Sequence, residues 1–208
     1  MNEMDDDQYD LAIVDPPYGL GHRIQTTANG TPHDLKNWNH NIPTKEYFSE
    51  LHRVSKHQII WGCNYFRALI PAVGRIIHDK QMDWQEGTNW RFSQADVASC
   101  SMQKRITMYR YRWNGNRQGE TINWKNEGIN KRIHPTQKPV QLYQWLLKNY
   151  AKDGFVILDT HLGSGSLAVA CAMMGYDMVG YEIDKDYYTA AQSRVNDFLN
   201  QGELFHAK

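Results

Sequence analysis

Four consecutive residues, Asp15-Pro16-Pro17-Tyr18, place a carboxylate, two rigid prolines and an aromatic ring directly after the apolar run 11–14. The lone pair of an aromatic amine is delocalised into its ring. The Asp15 carboxylate and the Pro16 carbonyl could accept hydrogen bonds from both N–H groups of such an amine and so localise the lone pair on nitrogen. Each proline fixes its φ and restricts the preceding residue, so the two acceptors would keep a set spacing. Tyr18 would stack on the flipped base that carries the amine. The tetrapeptide predicts activation of an exocyclic base amine, although a strand that ends in a proline turn would look the same.

A second candidate site is a glycine turn between two apolar runs that each end in an acid. The run 155–158 ends at Asp159, Gly163-Ser164-Gly165 forms the turn, and Glu182 follows the next run. Glycines let a backbone approach a ligand closely, and an acid at this distance commonly accepts both ribose hydroxyls. The turn has neither the three-glycine spacing of a dinucleotide site nor the Gly-Lys-Ser/Thr of a phosphate loop. Because an acid before the turn suits a cation, we expect S-adenosylmethionine here rather than NAD or ATP.

Short apolar runs alternate with helical patterns, which predicts an α/β fold with a mostly parallel sheet. Thr44 is expected to cap a helix, and Pro139 to lie near the start of another. The stretches 19–43 and 113–133 are polar and glycine-rich and are predicted to be functional loops. The expected strands are 11–14, 58–61, 75–78, 106–111, 155–158 and 178–181.

Composition excludes several classes of protein. The 208 residues suffice for one sizeable core, so we expect a single domain spanning residues 1–208. No apolar run reaches the length of a membrane span, and the acidic residues 1–10 lack the layout of a signal peptide. The three cysteines have no paired spacing, which indicates neither a disulfide framework nor a metal site. A reducing, cytoplasmic location is expected.

Charge is balanced overall but uneven along the chain. There are 23 Lys and Arg residues against 23 Asp and Glu, yet residues 104–138 are strongly basic, with only Glu120 and Glu127 opposing. The first fifty residues lean acidic instead. Such asymmetry is typical of a phosphate-binding stripe, and also of an ordinary solvated basic surface.

The order of three motifs resembles the β group of amino-DNA methyltransferases of bacteria and phages. These are Asp15-Pro16-Pro17-Tyr18, then His134-Pro135-Thr136-Gln137-Lys138-Pro139, then the segment from Asp159 to Gly165. In that group the catalytic strand precedes the cofactor strand, a circular permutation relative to most methyltransferases. The resemblance implies a Rossmann-like S-adenosylmethionine methyltransferase fold, with a mostly parallel sheet and an antiparallel hairpin.

The resemblance also implies roles for individual residues. The catalytic and base-holding residues would be Asp15, Pro16, Pro17 and Tyr18. The cofactor would be bordered by His134, Pro135, Thr136 and Lys138 at its methionine end, cradled by Asp159, Gly163, Ser164 and Gly165, and clamped at its ribose by Glu182. Double-stranded DNA would be the partner, contacted by loops 19–43 and 113–133. Its phosphates, or guanine edges, would be contacted by Arg112, Arg117, Lys125, Lys131 and Arg132.

Three departures from the family pattern affect these expectations. Family members carry a short strand before the catalytic one, which lines the adenine of the cofactor; here residues 1–8 precede it, so that wall is absent or rebuilt by Asp5, Asp6 or Asp7. His161 stands where an aromatic residue is usual. Ser99 stands where relatives often have an aromatic, which would shift base stacking to Tyr18, Tyr109, Tyr111 or Trp113.

Asp15 favours adenine N6 as the methylated amine, because Ser in this position is more typical of cytosine N4. The cytosine N4 reaction on the same fold remains the alternative, together with a degenerate, non-catalytic homologue that binds DNA or cofactor. Methylation of a protein amide uses a related tetrapeptide, but with the cofactor motif first. The small recognition surface predicts a short or relaxed target site, or a homodimer in which two subunits share the duplex.

Overall fold

The computed structural model describes residues 1, 3–21, 41–66, 69–71, 73–82, 93–114, 117–122, 128 and 131–206. In chain order these residues form β1 (Tyr9–Val14), α1 (Lys45–Val54), β2 (Ser55–Trp61), β3 (Gly74–Asp79), β4 (Ala95–Cys100), β5 (Ile106–Arg110), β6 (Trp113–Asn114), β7 (Arg117–Gln118), β8 (Thr121–Ile122), α2 (Val140–Tyr150), β9 (Val156–Asp159), α3 (Ser166–Met174), β10 (Asp177–Gly180) and α4 (Lys185–His206).

Seven strands form one mixed sheet in the order β10-β9-β1-β2-β4-β3-β5. All neighbouring pairs are parallel except those of β4, which runs antiparallel to both β2 and β3. The predicted mostly parallel sheet with an antiparallel hairpin is therefore confirmed. Within this seven-stranded sheet, the sequence patterns did not predict β4, the reversed strand.

Helices cover the sheet on two faces. On one face, α1 packs Phe48, Leu51 and Val54 against the sheet, and Thr44 Oγ1 caps it by accepting the Tyr47 backbone N–H at 3.3 Å, as predicted. The opposite face is covered by α2 and α3, whose buried residues join the central strands in the larger core cluster. Apolar residues on successive strand positions point to alternate faces, so both layers bury apolar surface.

Part of the predicted loop 113–133 is strand. β6, β7 and β8 form a separate three-stranded antiparallel sheet of two-residue strands, so this prediction was wrong there. Periodicity cannot reveal strands this short, because they contain one alternation at most. The other predicted loop, 19–43, falls for residues 22–40 outside the described residues.

The acidic N-terminal residues lie at the amino ends of the strands, away from the cofactor turn. Asp7 donates its backbone N–H to the Arg53 carbonyl at 2.8 Å, and the Arg53 guanidinium bonds Asp6 at 2.6 Å. Arg53 lies just before β2, whose first residue, Ser55, pairs with Tyr9. Of the two expected alternatives, a cofactor wall that is absent or one rebuilt by Asp5, Asp6 or Asp7, the second is therefore wrong. Within the described part of the chain, no helix has the length and apolar composition of a membrane span.

Candidate active site

The two predicted motifs meet because their strands are neighbours. β1 and β9 pair in parallel, so Asp15, which follows β1, and Asp159, which ends β9, lie at the same edge of the sheet. Ligands of open α/β sheets bind at this carboxyl edge. Trp61, the last residue of β2, completes the edge on the other side of β1.

The Asp15 carboxylate accepts hydrogen bonds through both of its oxygens. The Tyr18 hydroxyl donates to Oδ1 and the Lys138 ammonium donates to Oδ2. Lys138 Nζ also lies 3.3 Å from the Tyr18 hydroxyl oxygen, so the three groups form a closed triangle. The structure thus pairs Lys138 with the Asp15 carboxylate, whereas the resemblance implies that Lys138 borders the cofactor.

The Tyr18 ring is packed on protein groups rather than presented openly. It stacks on Tyr65 with ring centroids 4.9 Å apart and an interplanar angle of 17°, and meets Phe66 edge-on at 6.1 Å. Burial and the nearby Asp15 charge raise the pKa of Tyr18 well above its ordinary value, so its hydroxyl remains a donor. A base that stacks on Tyr18 would meet a ring that Tyr65 already covers.

The glycine turn has a left-handed backbone conformation at both of its glycines. Gly163 and Gly165 have φ of +52° and +69°, in the left-handed region that other residues rarely adopt. The Glu182 carboxylate accepts the Gly163 N–H at 2.8 Å and the Asp184 N–H at 2.9 Å, which fixes its orientation beside the turn. A Cβ on Gly163 would make only ordinary van der Waals contacts, with the His161 carbonyl oxygen at 3.8 Å and His134 Cδ2 at 4.0 Å, so the left-handed backbone rather than close packing favours glycine here.

Asp159 is buried beneath the turn. Its Oδ1 accepts the His161 backbone N–H at 2.9 Å. Burial raises the pKa of Asp159 to about 7; the His161 N–H opposes this rise, and the charges of Asp15 and Glu182 add to it. Three acids therefore converge on one edge, where a cationic ligand would favour their ionised forms.

Ser164 is buried and forms its hydrogen bonds within the protein. Its hydroxyl lies 3.1 Å from that of Ser166, and its carbonyl accepts a hydrogen bond from Arg194 Nη1 at 2.8 Å. Arg194 Nη1 also donates to Ser166 Oγ at 3.0 Å. α4 thus braces the turn from behind, a role for Arg194 that no sequence motif indicated.

The motif that begins at His134 lies next to the turn. His134 Cδ2 would be 4.0 Å from a Cβ built on Gly163, and the His134 ring meets Tyr187 edge-on at 4.4 Å. The Thr136 hydroxyl lies 3.1 Å from His134 Nδ1. Pro135 accepts a hydrogen bond through its carbonyl from Arg132 at 3.0 Å.

His161 takes the aromatic position anticipated from the family pattern and packs as an aromatic would. Its ring meets Tyr47 edge-on at 5.3 Å, and its Nδ1 lies 3.0 Å from the Thr160 hydroxyl, which bonds the Tyr47 hydroxyl at 2.7 Å. Burial lowers the pKa of His161 to about 4, so the imidazole is neutral at physiological pH.

A charged group that sequence reasoning missed lies at the same edge. Asp96, at the start of the reversed strand β4, pairs with Lys80 at 2.8 Å. Burial opposes its charge, but Lys138 and Lys80 hold its pKa well below the usual range. A hairpin assignment for 75–100 would have found it, because a reversed strand brings its first residues to the carboxyl edge of its neighbours. Ser99 is buried within the sheet, paired with Ile60 and Arg75.

The predicted DNA-contacting residues differ in exposure. Arg117 and Lys131 are exposed, and Arg112 is half-buried. Arg132 is also half-buried, and burial lowers its pKa. Lys125 lies outside the described residues. Of the aromatic residues offered for base stacking, Tyr109 instead stacks on Tyr111 at 6.1 Å and packs on Trp145 at 5.2 Å.

Known proteins share both this sequence pattern and this fold. The Type II methyltransferase M.HpaI of Haemophilus parainfluenzae is 25% identical over 96% of this chain and 72% of its own length. The M1.HpyAVI–SAM complex superimposes with a TM-score of 0.56 at 18% identity, covering 90% of this chain and 89% of that one. The cytosine-N4-specific PvuII DNA methyltransferase gives 0.59 at 11% identity, covering 96% and 87%. Residues 79–193, more than half of the chain, match the N6/N4 methyltransferase model described as DNA methylase. The chain belongs to this DNA methylase family.

Proposed function

We propose that the protein transfers the methyl group of S-adenosylmethionine to the exocyclic amine of a base in double-stranded DNA, at adenine N6. The observation that carries this proposal is the juxtaposition of Asp15 and Asp159 on the neighbouring strands β1 and β9. Their charges interact strongly enough to affect the pKa of Asp159. A base at Asp15 and a cofactor at the glycine turn would therefore be neighbours.

The residues at the turn fit S-adenosylmethionine. The turn bears Gly163 and Gly165 in left-handed conformations, so at these two positions no side chain separates the backbone from a ligand. Asp159 and Glu182, the acids at the turn, suit a ligand that carries a sulfonium and an ammonium group, and would repel a phosphate. Ile183, next to Glu182, is 96% exposed and offers an apolar surface to a flat adenine ring. Glu182, already oriented by two backbone N–H groups, would accept the ribose hydroxyls.

When bound, S-adenosylmethionine supplies the methyl group on a sulfonium whose sulfur keeps the electron pair of the broken bond. The Asp15 carboxylate and the Pro16 carbonyl accept hydrogen bonds from the two N–H groups of the amine. This arrangement directs the nitrogen lone pair at the methyl carbon. Pro16 and Pro17 keep the carbonyl fixed relative to the carboxylate. Asp15 then takes the proton that the amine loses as the neutral methylated product forms.

The choice of adenine over cytosine rests on Asp15 as the first residue of the tetrapeptide. The same fold occurs in the cytosine-N4-specific PvuII enzyme, so cytosine N4 is the second candidate. Incubating the protein with duplex DNA and S-adenosylmethionine labelled in its methyl group, then digesting the DNA to nucleosides, separates the two. Labelled N6-methyladenine supports the proposal, and labelled N4-methylcytosine selects the second candidate. No label in either nucleoside contradicts both.

Asp15→Ala tests the assigned acceptor. We expect methyl transfer to be lost while cofactor affinity, measured by calorimetry, stays largely intact. Asp153→Ala is the matched control, since Asp153 is exposed in the turn between α2 and β9, at the opposite edge of the sheet. Retained activity in Asp15→Ala, or equal loss in both variants, would refute the assignment.

The segment of sequence between β5 and His134 is short, so we propose that the target site is short or relaxed, or that two subunits share the duplex. Footprinting together with sedimentation of the protein–DNA complex tests this. A long, strictly read site bound by a monomer would count against it.

A further inference from the structure

Lys138 is a buried lysine whose ammonium is directed at the acceptor of the proposed reaction. Only 6% of the residue is exposed. Its Nζ donates to Asp15 Oδ2 and lies 3.3 Å from the Tyr18 hydroxyl oxygen. Lysines are almost never buried to this extent unless they are paired, and here the partner is the carboxylate assigned to the amine.

The backbone on the N-terminal side of Lys138 is anchored. Gln137 is buried; its side-chain oxygen accepts the Ile133 N–H at 3.0 Å, and its side-chain nitrogen donates to the Lys131 carbonyl at 2.9 Å. The Trp113 indole N–H donates to the Gln137 carbonyl at 2.7 Å. These bonds fix the segment without any ligand.

The side chain of Lys138 is held from further directions. Pro139, the N-cap of α2, follows it directly with a restricted φ of −70°. The ammonium lies 5.1 Å from the centroid of the Trp61 ring, within the range of a cation–π contact. Its charge also acts on Asp96, whose pKa it helps to hold low. Lys138 therefore pairs directly with Asp15, and its charge also stabilises the ionised form of Asp96.

We infer that Lys138 is a positioning residue for Asp15: it fixes the carboxylate through Oδ2, so that Oδ1 receives the target amine in place of the Tyr18 hydroxyl. This inference rests on the proposed function, because it requires Asp15 to be the amine acceptor. The torsion that orients an aspartate carboxylate is broad, and a charge-assisted hydrogen bond at one oxygen narrows it. The Tyr18 hydroxyl keeps Oδ1 paired until an amine N–H replaces it, so the exchange leaves no unpaired acceptor.

Lys138→Met tests the inference, because it keeps the apolar stem and removes the ammonium. We expect kcat for methyl transfer to fall by about 10²-fold, the cost of a misplaced reacting group. The dissociation constant for S-adenosylmethionine, measured by calorimetry, should change by less than about threefold, because a change of this size corresponds to only a small difference in binding free energy. Lys138→Arg should recover part of kcat, since a guanidinium also pairs with a carboxylate. Lys148→Met, on the exposed end of the same helix, is the matched control.

A measurement without turnover supports the same test. A buried, hydrogen-bonded ammonium exchanges its protons slowly, so Lys138 should give a lysine side-chain signal in ¹H–¹⁵N NMR of the free protein. The signal is assigned by its absence in Lys138→Arg, and Asp15→Asn should broaden or remove it. This readout stands even where Lys138→Met fails to fold.

Three outcomes overturn the inference: kcat in Lys138→Met within about threefold of wild type, a loss of cofactor affinity as large as the loss of kcat, or an NMR signal indifferent to Asp15→Asn. The second outcome would return Lys138 to the cofactor. Failure of the proposed function is visible separately, because the wild-type protein would then methylate neither adenine nor cytosine.

Discussion

Gly62 lies so close to the ring of Tyr18 that a Cβ built on the glycine would stand 2.1 Å from Tyr18 Cε1. Gly62 directly follows β2 and has a φ of +73°, so both its backbone conformation and its lack of a side chain are needed. Since the Tyr18 hydroxyl bonds Asp15, this contact links the carboxyl end of β2, at Gly62, to the carboxyl end of β1, at Asp15. The glycine that stops β2 thereby sets where the Tyr18 ring can lie.

Gly62→Ala should therefore displace Tyr18 and lower the rate of DNA methylation by about 10²-fold. The matched control is Gly175→Ala, because Gly175 has the same φ of +73° but no atom within 4 Å of an added Cβ. In Gly175→Ala we expect only the strain of an alanine at positive φ, which lowers the free energy of unfolding by about 1 kcal/mol, and unchanged activity. Methylation rates and urea denaturation of both variants provide the measurement. Equal activity in the two would show that the Tyr18 position is irrelevant.

Arg194 should act on cofactor affinity without touching the cofactor. Its guanidinium holds the Ser164 carbonyl and the Ser166 hydroxyl, and burial lowers its pKa to about 10. Arg194→Met leaves both oxygens without this donor, so we expect about 1–3 kcal/mol of lost stability. Cofactor affinity should fall because the turn loosens.

Arg53→Met is the control for Arg194→Met. Arg53 also makes several hydrogen bonds, to Glu50, Asp6 and the carbonyl of Met4, but at the amino ends of the strands. The Arg53→Met protein should therefore be less stable than wild type but bind the cofactor with unchanged affinity. Calorimetric titration separates the two variants, and an unchanged affinity in Arg194→Met would count against bracing of the turn.

Strands that carry their own apolar pattern were predictable, and strands defined by their neighbours were not. β1, β2 and β9 each contain a short apolar run, at 11–14, 59–61 and 156–158, as is usual for buried parallel strands. β4 has the sequence Ala-Asp-Val-Ala-Ser-Cys, which is small and mixed, and it becomes a strand because β2 and β3 pair on either side. Tertiary pairing of this kind overrides local propensity.

The residues of the candidate site were predictable by type, but their contacts were not. The sequence patterns placed Asp15 and Asp159 each at the end of an apolar run, and the pairing of β1 with β9 brings the two acids to one edge of the sheet. Lys138 is 123 positions away from Asp15, and nothing local shows that its ammonium reaches this acid. Tyr65 likewise stacks on Tyr18 only because the chain turns back at Gly62. Such contacts depend on side-chain packing across elements distant in sequence.

Lys131 should contribute to DNA binding through charge alone. It is exposed and precedes the motif that lies beside the glycine turn. Lys131→Ala should weaken duplex affinity and reduce the slope of log K against log salt by about 0.9, the change expected for one lost phosphate contact. Lys152→Ala, exposed between α2 and β9 at the opposite edge, should leave the slope unchanged. Fluorescence anisotropy at several salt concentrations tests both, and parallel lines for Lys131→Ala and wild type would exclude the contact.

The raised pKa of Asp159 makes two pH dependences expected. Its pKa is about 7 in the folded protein against an ordinary value of 3.8, so the native state binds an extra proton between these values. Stability must then fall as pH rises from about 4 to 7. The difference corresponds to roughly 4 kcal/mol at most, and Asp159→Asn should recover part of it. At pH 8 we expect the free Asp159→Asn protein to unfold at higher urea concentration than wild type.

Cofactor binding should show the opposite trend. A cationic ligand requires ionised Asp159, so below about pH 7 binding must release a proton, and affinity should rise up to tenfold per pH unit toward neutrality. Calorimetry at pH 6, in buffers of different ionisation enthalpy, should report up to one proton released per cofactor bound in wild type. Asp159→Asn should release none and bind more weakly, although its fold is more stable. Proton release that persists in Asp159→Asn would assign the titration to another group, and the converging acids would then not explain the preference for a cation.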